Sequence, residues 1–184
     1  MIEIDLNRKK AMLVIITGKK GIGKTVVCRR LVDIASQSIG TCGGIFTYKL
    51  PGGSMVVENI LTMKQMVLAG SPRTYRGPQL ENYSFNPAAI KFRLSAVESA
   101  RDFPILLIDD IGLLELDDSV DGNVLPLIKK MHKKDRIVAI DEDMLSDLLP
   151  LIEKPDNIFS VTLGNRDTLP DLIVDSIRGK LPKP

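Results

Sequence analysis

Short apolar runs alternate along the chain with stretches of helical spacing. Residues 11–17 (AMLVIIT) form a continuous apolar run that ends at a glycine, the pattern of a strand buried on both faces. Helical spacing follows over residues 24–38, with Val27, Leu31, Ile34 and Ala35 on one stripe. Residues 43–48 predict a strand, Pro51-Gly52-Gly53 a turn, and residues 55–60 the returning strand of a hairpin. Between residues 69 and 87 the composition shifts to Gly, Ser, Pro, Arg and Tyr, which predicts a long loop or lid of the kind that carries function. Residues 87–100 predict a helix with proline in its first turn. Three more buried strands are expected at residues 104–108, 136–140 and 158–163, separated by helical segments around 124–133 and 143–152. A last helix is expected over residues 169–178, with Thr168 as its N-cap. Strands alternating with helices, without internal repeats, predict one α/β domain over residues 1–184, built on a parallel sheet covered on both faces.

Composition narrows the class. The 184 residues are 44% hydrophobic and 26% charged, which excludes a disordered or fibrous chain. The longest apolar run is far too short for a membrane span. Glu3, Asp5 and the Arg8-Lys9-Lys10 cluster break any secretory signal, so a cytoplasmic location and no membrane partner are expected. Two cysteines, Cys28 and Cys42, and one histidine leave no disulfide framework and no four-ligand zinc site, and the Asn82-Tyr83-Ser84 sequon reads as chance. A net charge of +2 gives no argument for an obligatory nucleic-acid partner, and no protein partner is legible. The charge is unevenly placed, with eight Lys or Arg against two acids in residues 1–30, and six acids without a base in residues 109–121. On charge alone this fits two solvated faces, or a phosphate site facing a metal-binding edge.

The motifs decide between these. Gly18-Lys19-Lys20-Gly21-Ile22-Gly23-Lys24-Thr25 fits G-x-x-x-x-G-K-[ST], the Walker A phosphate loop. Chance would produce it in roughly 1% of chains this long. A buried strand enters it and an amphipathic helix leaves it, as the mechanism requires: the glycines let backbone N–H groups converge on phosphate oxygens at a helix N-terminus. Lys24 is expected as an exposed loop charge that reaches the β- and γ-phosphates, and Thr25 is expected to ligate Mg²⁺. Lys19 and Lys20 are phosphate contacts or solvated charges.

The second candidate is the acidic pair at the end of the 104–108 strand, the edge at which open α/β sheets bind ligands. Asp109 is placed as the Walker B group on Mg²⁺, and Asp110 as the carboxylate that orients or deprotonates the attacking water. Glu115 and Asp141 are its alternates. Asp117, Asp118 and Asp121 read as loop solvation, Cys28 as inert packing, His132 as part of an exposed basic helix end, and Met55, Met63 and Met66 as packing. Tyr75 and Tyr83 are surface tyrosines of the lid, with base stacking as the alternative.

Taken together, GKKGIGKT, the GGIFT strand at residues 43–47, LLIDDIGLLEL at residues 106–116 and VTLGNRDTLPDLI at residues 161–173 resemble the thermophile-type, cancer-related nucleoside-triphosphatase family over nearly the whole chain. The resemblance implies a three-layer P-loop fold with a RecA-like, mainly parallel sheet and an inserted β-hairpin, in which residues 136–140 lie between the two motif-bearing strands. It also implies Mg²⁺-dependent hydrolysis of ATP, GTP and other nucleoside triphosphates. Gly18, Lys19, Lys20, Gly21, Ile22, Gly23, Lys24 and Thr25 then bind phosphate, Thr25 and Asp109 hold the metal, Lys24 and Asp110 are catalytic, and Arg166 lies near the nucleotide. Asp110 stands where the family has Glu, one methylene longer, so turnover is expected to be slow. Leu113 replaces a family Lys, and Lys49 is the cation nearest to a missing strand arginine. The competing readings are a small-molecule kinase, with Arg73, Arg76 or Arg93 on the transferred group, and a non-catalytic nucleotide switch.

Overall fold

The computed structural model describes residues 10–179, so Glu3, Asp5, Arg8 and Lys9 lie outside the described residues. In chain order its elements are β1 (Leu13–Gly18), α1 (Lys24–Ser38), β2 (Cys42–Lys49), β3 (Met55–Asn59), β4 (Gln65–Gly70), β5 (Gln79–Leu80), β6 (Tyr83–Phe85) and α2 (Pro87–Ser99). There follow β7 (Ile105–Ile111), α3 (Leu113–Leu116), α4 (Leu125–Lys130), β8 (Asp135–Asp141), α5 (Leu145–Leu148), β9 (Asn157–Ser160) and α6 (Leu169–Ile177). The strands form one sheet in the order β5-β6-β4-β3-β2-β7-β8-β1-β9. From β2 to β9 every pairing is parallel, and β8 lies between β1 and β7 as the family resemblance implies.

Alternation along the central strands builds the three layers. Leu13 and Ile15 of β1 face one core with Leu106, Ile108 and Val138, under α2 and α4. Val14 and Ile16 face the other with Ile105, Leu107 and Ile137, under Val27 and Leu31 of α1 and Ile173 of α6. Each such side chain contributes about 1.5–3 kcal/mol by leaving water, which is why β1 is apolar at consecutive positions rather than alternate ones. Cys28 is buried in the second core, where burial and the neighbouring Asp109 push its thiol pKa well up, so it is packing and not a reactive group. At the start of α2, Asn86 Oδ1 accepts from Ala88 N at 3.1 Å with Pro87 in the first turn.

Four expectations need correction. The expected lid over residues 69–87 is not an open loop, because β4, β5 and β6 extend the sheet antiparallel beyond the β2–β3 hairpin. Ser84 folds this segment onto itself, accepting from Tyr75 N at 3.0 Å and donating to Ser71 O at 2.7 Å. The helix expected over residues 143–152 is broken into 3₁₀ turns on either side of α5, the second containing Pro150, which cannot donate a helical bond. Thr168 takes the N-cap position of α6, but its hydroxyl donates to Asn165 O at 3.2 Å and caps no helix N–H. Met55 and Met66 pack against the core, whereas Met63 is exposed at the β3–β4 turn. Among the described residues no helix is long and apolar enough to cross a membrane.

The glycine pair of the GGIFT strand is a packing device. At Gly44, with φ of +126°, a Cβ would lie 1.9 Å from the carbonyl oxygen of Leu107 on β7. Gly44→Ala is expected to destabilise by about 3 kcal/mol or more, combining overpacking with a forbidden backbone conformation. Gly52→Ala serves as the control: φ is +94° there, but nothing lies within 4 Å, so the loss should be about 1 kcal/mol from strain alone. Urea titration of the two variants separates the terms, and equal losses would remove the close β2–β7 approach as the reason for Gly44.

Candidate functional site

The Gly18–Thr25 loop joins the C-terminal end of β1 to the first turn of α1. Gly21 and Gly23 have φ of +78° and +108°, conformations that cost a side-chain-bearing residue energy, and Ile22 N closes the turn on Lys19 O at 3.1 Å. Lys24 was expected as an exposed loop charge, yet it is only 8% exposed. Its Nζ donates to Gly18 O at 3.0 Å, to Lys19 O at 3.2 Å and to Asp141 Oδ1 at 2.5 Å. The register explains this arrangement: β8 pairs with β1 so that Asp141 stands beside Gly18, at the mouth of the loop. Lys19 and Lys20 are exposed, while Ile22 packs partly against the α1/α6 core.

Opposite the loop, β7 delivers Asp109 and Asp110. Asp109 is 1% exposed, and its Oδ2 has no hydrogen-bond partner. Burial pushes its pKa up to about 7, with the Thr25 hydroxyl pulling in the opposite direction. Asp110 is partly buried and has φ of +69°, a left-handed conformation that Asp tolerates better than most residues. It sits in a bulge where the β7–β8 register shifts between Ile108 and Ile111. Burial, and then the nearby Asp141 carboxylate, push its pKa up to about 6. The two acids, Thr25, Lys24 and Asp141 therefore converge on one sheet edge.

The turn after β7 is fixed by a buried ion pair that sequence reasoning did not find. Glu115, 1% exposed, meets Arg93 of α2, 2% exposed, at 2.8 Å. Glu115 Oε2 accepts from Gly112 N at 2.8 Å, and Arg93 Nη1 also donates to Gly122 O at 2.8 Å. Glu115 is thereby excluded as an alternate for placing water, and Arg93 as a contact for a transferred phosphoryl group. The other alternate, Asp141, is the partner of Lys24. No periodic signal in α2 marks Arg93, because Phe92 and Leu94 spread apolar residues beyond its buried face.

The Asn165-Arg166-Asp167 segment forms a turn beside the loop. Asn165 Oδ1 accepts from Thr162 N at 2.8 Å, and its Nδ2 donates to Ser160 O at 2.8 Å. This turn lays Arg166 across Gly23 so closely that a Cβ there would meet Arg166 Cδ at 2.8 Å. Glycine at position 23 is thus needed twice, for its backbone and for the arginine above it.

The chain is similar to known proteins over most of its length. The chain is 26% identical over 181 residues to a protein named nucleoside-triphosphatase THEP1 from Methanopyrus kandleri, covering 89% of this chain and 94% of that one. It is 28% identical over 137 residues to a protein of the same name from Pyrobaculum aerophilum, covering 72% and 75%. In fold it is similar to the crystal structure of THEP1 from Aquifex aeolicus, with a TM-score of 0.66 and 17% identity, covering 90% of this chain and 99% of that one. Residues 13–174 match the NTPase family over both motif-bearing strands and the Arg166 turn, and the chain belongs to this family of nucleoside-triphosphatases.

Proposed function

We propose that the protein hydrolyses nucleoside triphosphates such as ATP and GTP to diphosphate and phosphate with Mg²⁺, slowly and with broad tolerance of the base. The observation that carries this reading is the buried Asp109 Oδ2, an acceptor without a partner beside the Thr25 hydroxyl. A carboxylate oxygen left so costs several kcal/mol unless a cation meets it. One carboxylate and one hydroxyl suit Mg²⁺, which keeps water and phosphate oxygens as its other ligands. When bound, the ion would neutralise charge on the β- and γ-phosphate oxygens.

The chain's own residues supply the rest of the chemistry. The loop glycines turn backbone N–H groups toward phosphate oxygens. Lys24, held between two loop carbonyls and Asp141, places its ammonium where negative charge accumulates as the γ-phosphoryl group leaves. Asp110 holds the attacking water and accepts its proton. Arg166, lying across Gly23, flanks the ribose or base and contributes to binding more than to rate.

Phosphate release across a panel of triphosphates with Mg²⁺ tests the reading. Lys24→Ala should lose most triphosphate affinity in calorimetric titration, with a stability loss of about 1–2 kcal/mol from its missing bonds. Arg166→Ala should raise KM more than it lowers kcat. Unchanged affinity in the first variant, or a pure kcat loss in the second, would reassign these residues.

Asp110→Asn should abolish most hydrolysis while keeping nucleotide affinity and fold, since Asn is at ease with positive φ. Asp110→Glu should preserve or raise kcat but lower Tm, because Glu is less at ease there than Asp. Full hydrolysis in Asp110→Asn would show that another group places the water.

The raised carboxyl pKa values also set a pH dependence. Folded protein holds the Asp109 and Asp110 protons more tightly than unfolded chain does, so stability falls as pH rises from about 4 to about 7 and levels off above. The fall should be on the order of a few kcal/mol. Thermal melts in EDTA should show it, and Asp109→Asn should flatten the slope. A pH-independent Tm in EDTA would contradict the buried, unpartnered carboxyl.

A further inference from the structure

The β2–β7 ladder ends at Ile45 and Ile108. Beyond it, β2 runs on to Lys49 paired with β3, while β7 bulges at Asp110. The sheet therefore parts at its ligand edge, and the gap is a cavity of about 220 Å³ lined by Thr47 and Asp110. Met55, Leu68, Phe85, Leu114 and Met144 give it apolar walls, and the β5–β6 hairpin reaches its rim with Glu81 and Tyr83. Thr47 is 3% exposed, and its Oγ1 has no hydrogen-bond partner.

Hydrolysis has no use for such a space. One attacking water fills roughly 30 Å³, and apolar walls gain nothing from holding more of them. The volume is below the roughly 300–1,000 Å³ of sites for drug-sized molecules, so it suits a compound of metabolite size. Lys20 and Lys49 stand at its rim against Glu81 and Asp143, Asp110 and Asp141 line it toward the phosphate loop, and Lys49 Nζ already bonds the Tyr83 hydroxyl at 2.5 Å. The wall's arginine, Arg93, is paired with Glu115 and with Gly122 O. A second phosphate group would find no free guanidinium here, which points to a neutral ligand.

We propose that this cavity binds a small, neutral, hydroxyl-bearing molecule with an apolar body, its hydroxyl meeting Thr47 Oγ1, and that the γ-phosphoryl group passes to this hydroxyl in competition with water. The proposal rests on the triphosphate site proposed above. In the transfer the acceptor oxygen bonds to the γ-phosphorus, and the bond from phosphorus to the β,γ-bridging oxygen breaks. The nucleoside diphosphate leaves with the electron pair, and the hydroxyl proton passes to solvent at the rim.

The experiment incubates the full chain with ATP and Mg²⁺, alone and with benzyl alcohol, cyclohexanol or 1,4-butanediol, each up to its solubility limit. Glycerol 3-phosphate is the anionic control. ADP and free phosphate are quantified, and phosphate monoesters are read by ³¹P NMR. The expected result is a phosphate-to-ADP ratio below unity with a neutral probe, and a matching ester signal. Thr47→Val should lower the ester-to-phosphate ratio about tenfold, the worth of one lost hydrogen bond. Met144→Trp, which fills the wall, should suppress the ester while phosphate release persists. Equal ADP and phosphate with every neutral probe overturns the proposal and leaves the hydrolase reading standing. Preferred transfer to glycerol 3-phosphate overturns the neutral ligand. ADP formed only when an alcohol is present overturns the hydrolase reading and supports transfer, and no ADP under any condition overturns both.

Discussion

A carboxylate held out of water at the end of an apolar strand is an electrostatic load that the surrounding structure must answer. Asp109 carries that load. β7 is buried on both faces through Ile108, so the first polar residue it presents has no solvent of its own, and Oδ2 is left without a partner. Asp110 and Asp141 bring two more carboxylates to the same edge, where the buried ammonium of Lys24 pairs with Asp141. Three acids less one base leaves two negative charges when all are ionised. Burial first, and the neighbouring carboxylates second, raise the pKa values of Asp109 and Asp110, and a divalent cation is the kind of ligand that offsets the surplus.

The geometry of the edge depends on an interaction one layer away. Asp110 keeps a left-handed backbone that few residues accept, and the strand resumes at Ile111 against Ile140. The following turn is held by Glu115, which accepts from Gly112 N while paired to Arg93. Buried ion pairs add little net stability, but breaking one costs about 3–5 kcal/mol because the surviving charge is stranded. This pair therefore acts as a constraint: it ties the segment after Asp110 to α2 and leaves that turn few alternatives.

What was legible in the sequence is what local chemistry dictates. The apolar run before Gly18, the helix from Lys24 to Ser38 and the acidic strand end all stand where period and motif put them. The segment from residue 69 to 87 was misread because β5 and β6 are two and three residues long, and so short a strand exists only through its neighbours. Lys24 was misread as exposed because its partner Asp141 is 117 residues away, brought close by the parallel β1–β8 register. The Arg93–Glu115 pair and the orphaned Thr47 hydroxyl left no periodic trace for the same reason. Each is defined by which strands become neighbours, and helical or strand spacing cannot encode that.

The parting of β2 from β7 needs the same kind of long-range support, since an antiparallel extension hung on one strand could otherwise swing over the ligand edge. Arg29, on the second turn of α1, supplies it. Its guanidinium grips both oxygens of Glu58 on β3 at 3.0 and 3.1 Å and stacks 4.3 Å above the Phe46 ring on β2. Tyr48 and Gln65 add hydrogen bonds to the same carboxylate, which is held below its usual pKa chiefly by Arg29. Arg29 is half-exposed, so the bonds are modest in energy. Their value is geometric, because α1 begins at the phosphate loop and the network joins that helix to β2, β3 and β4 at once. One planar, bidentate contact thus ties the helix that starts at the glycine loop to the strands that carry Met55 and Leu68 of the cavity wall, and a lysine at the same position could not reproduce it.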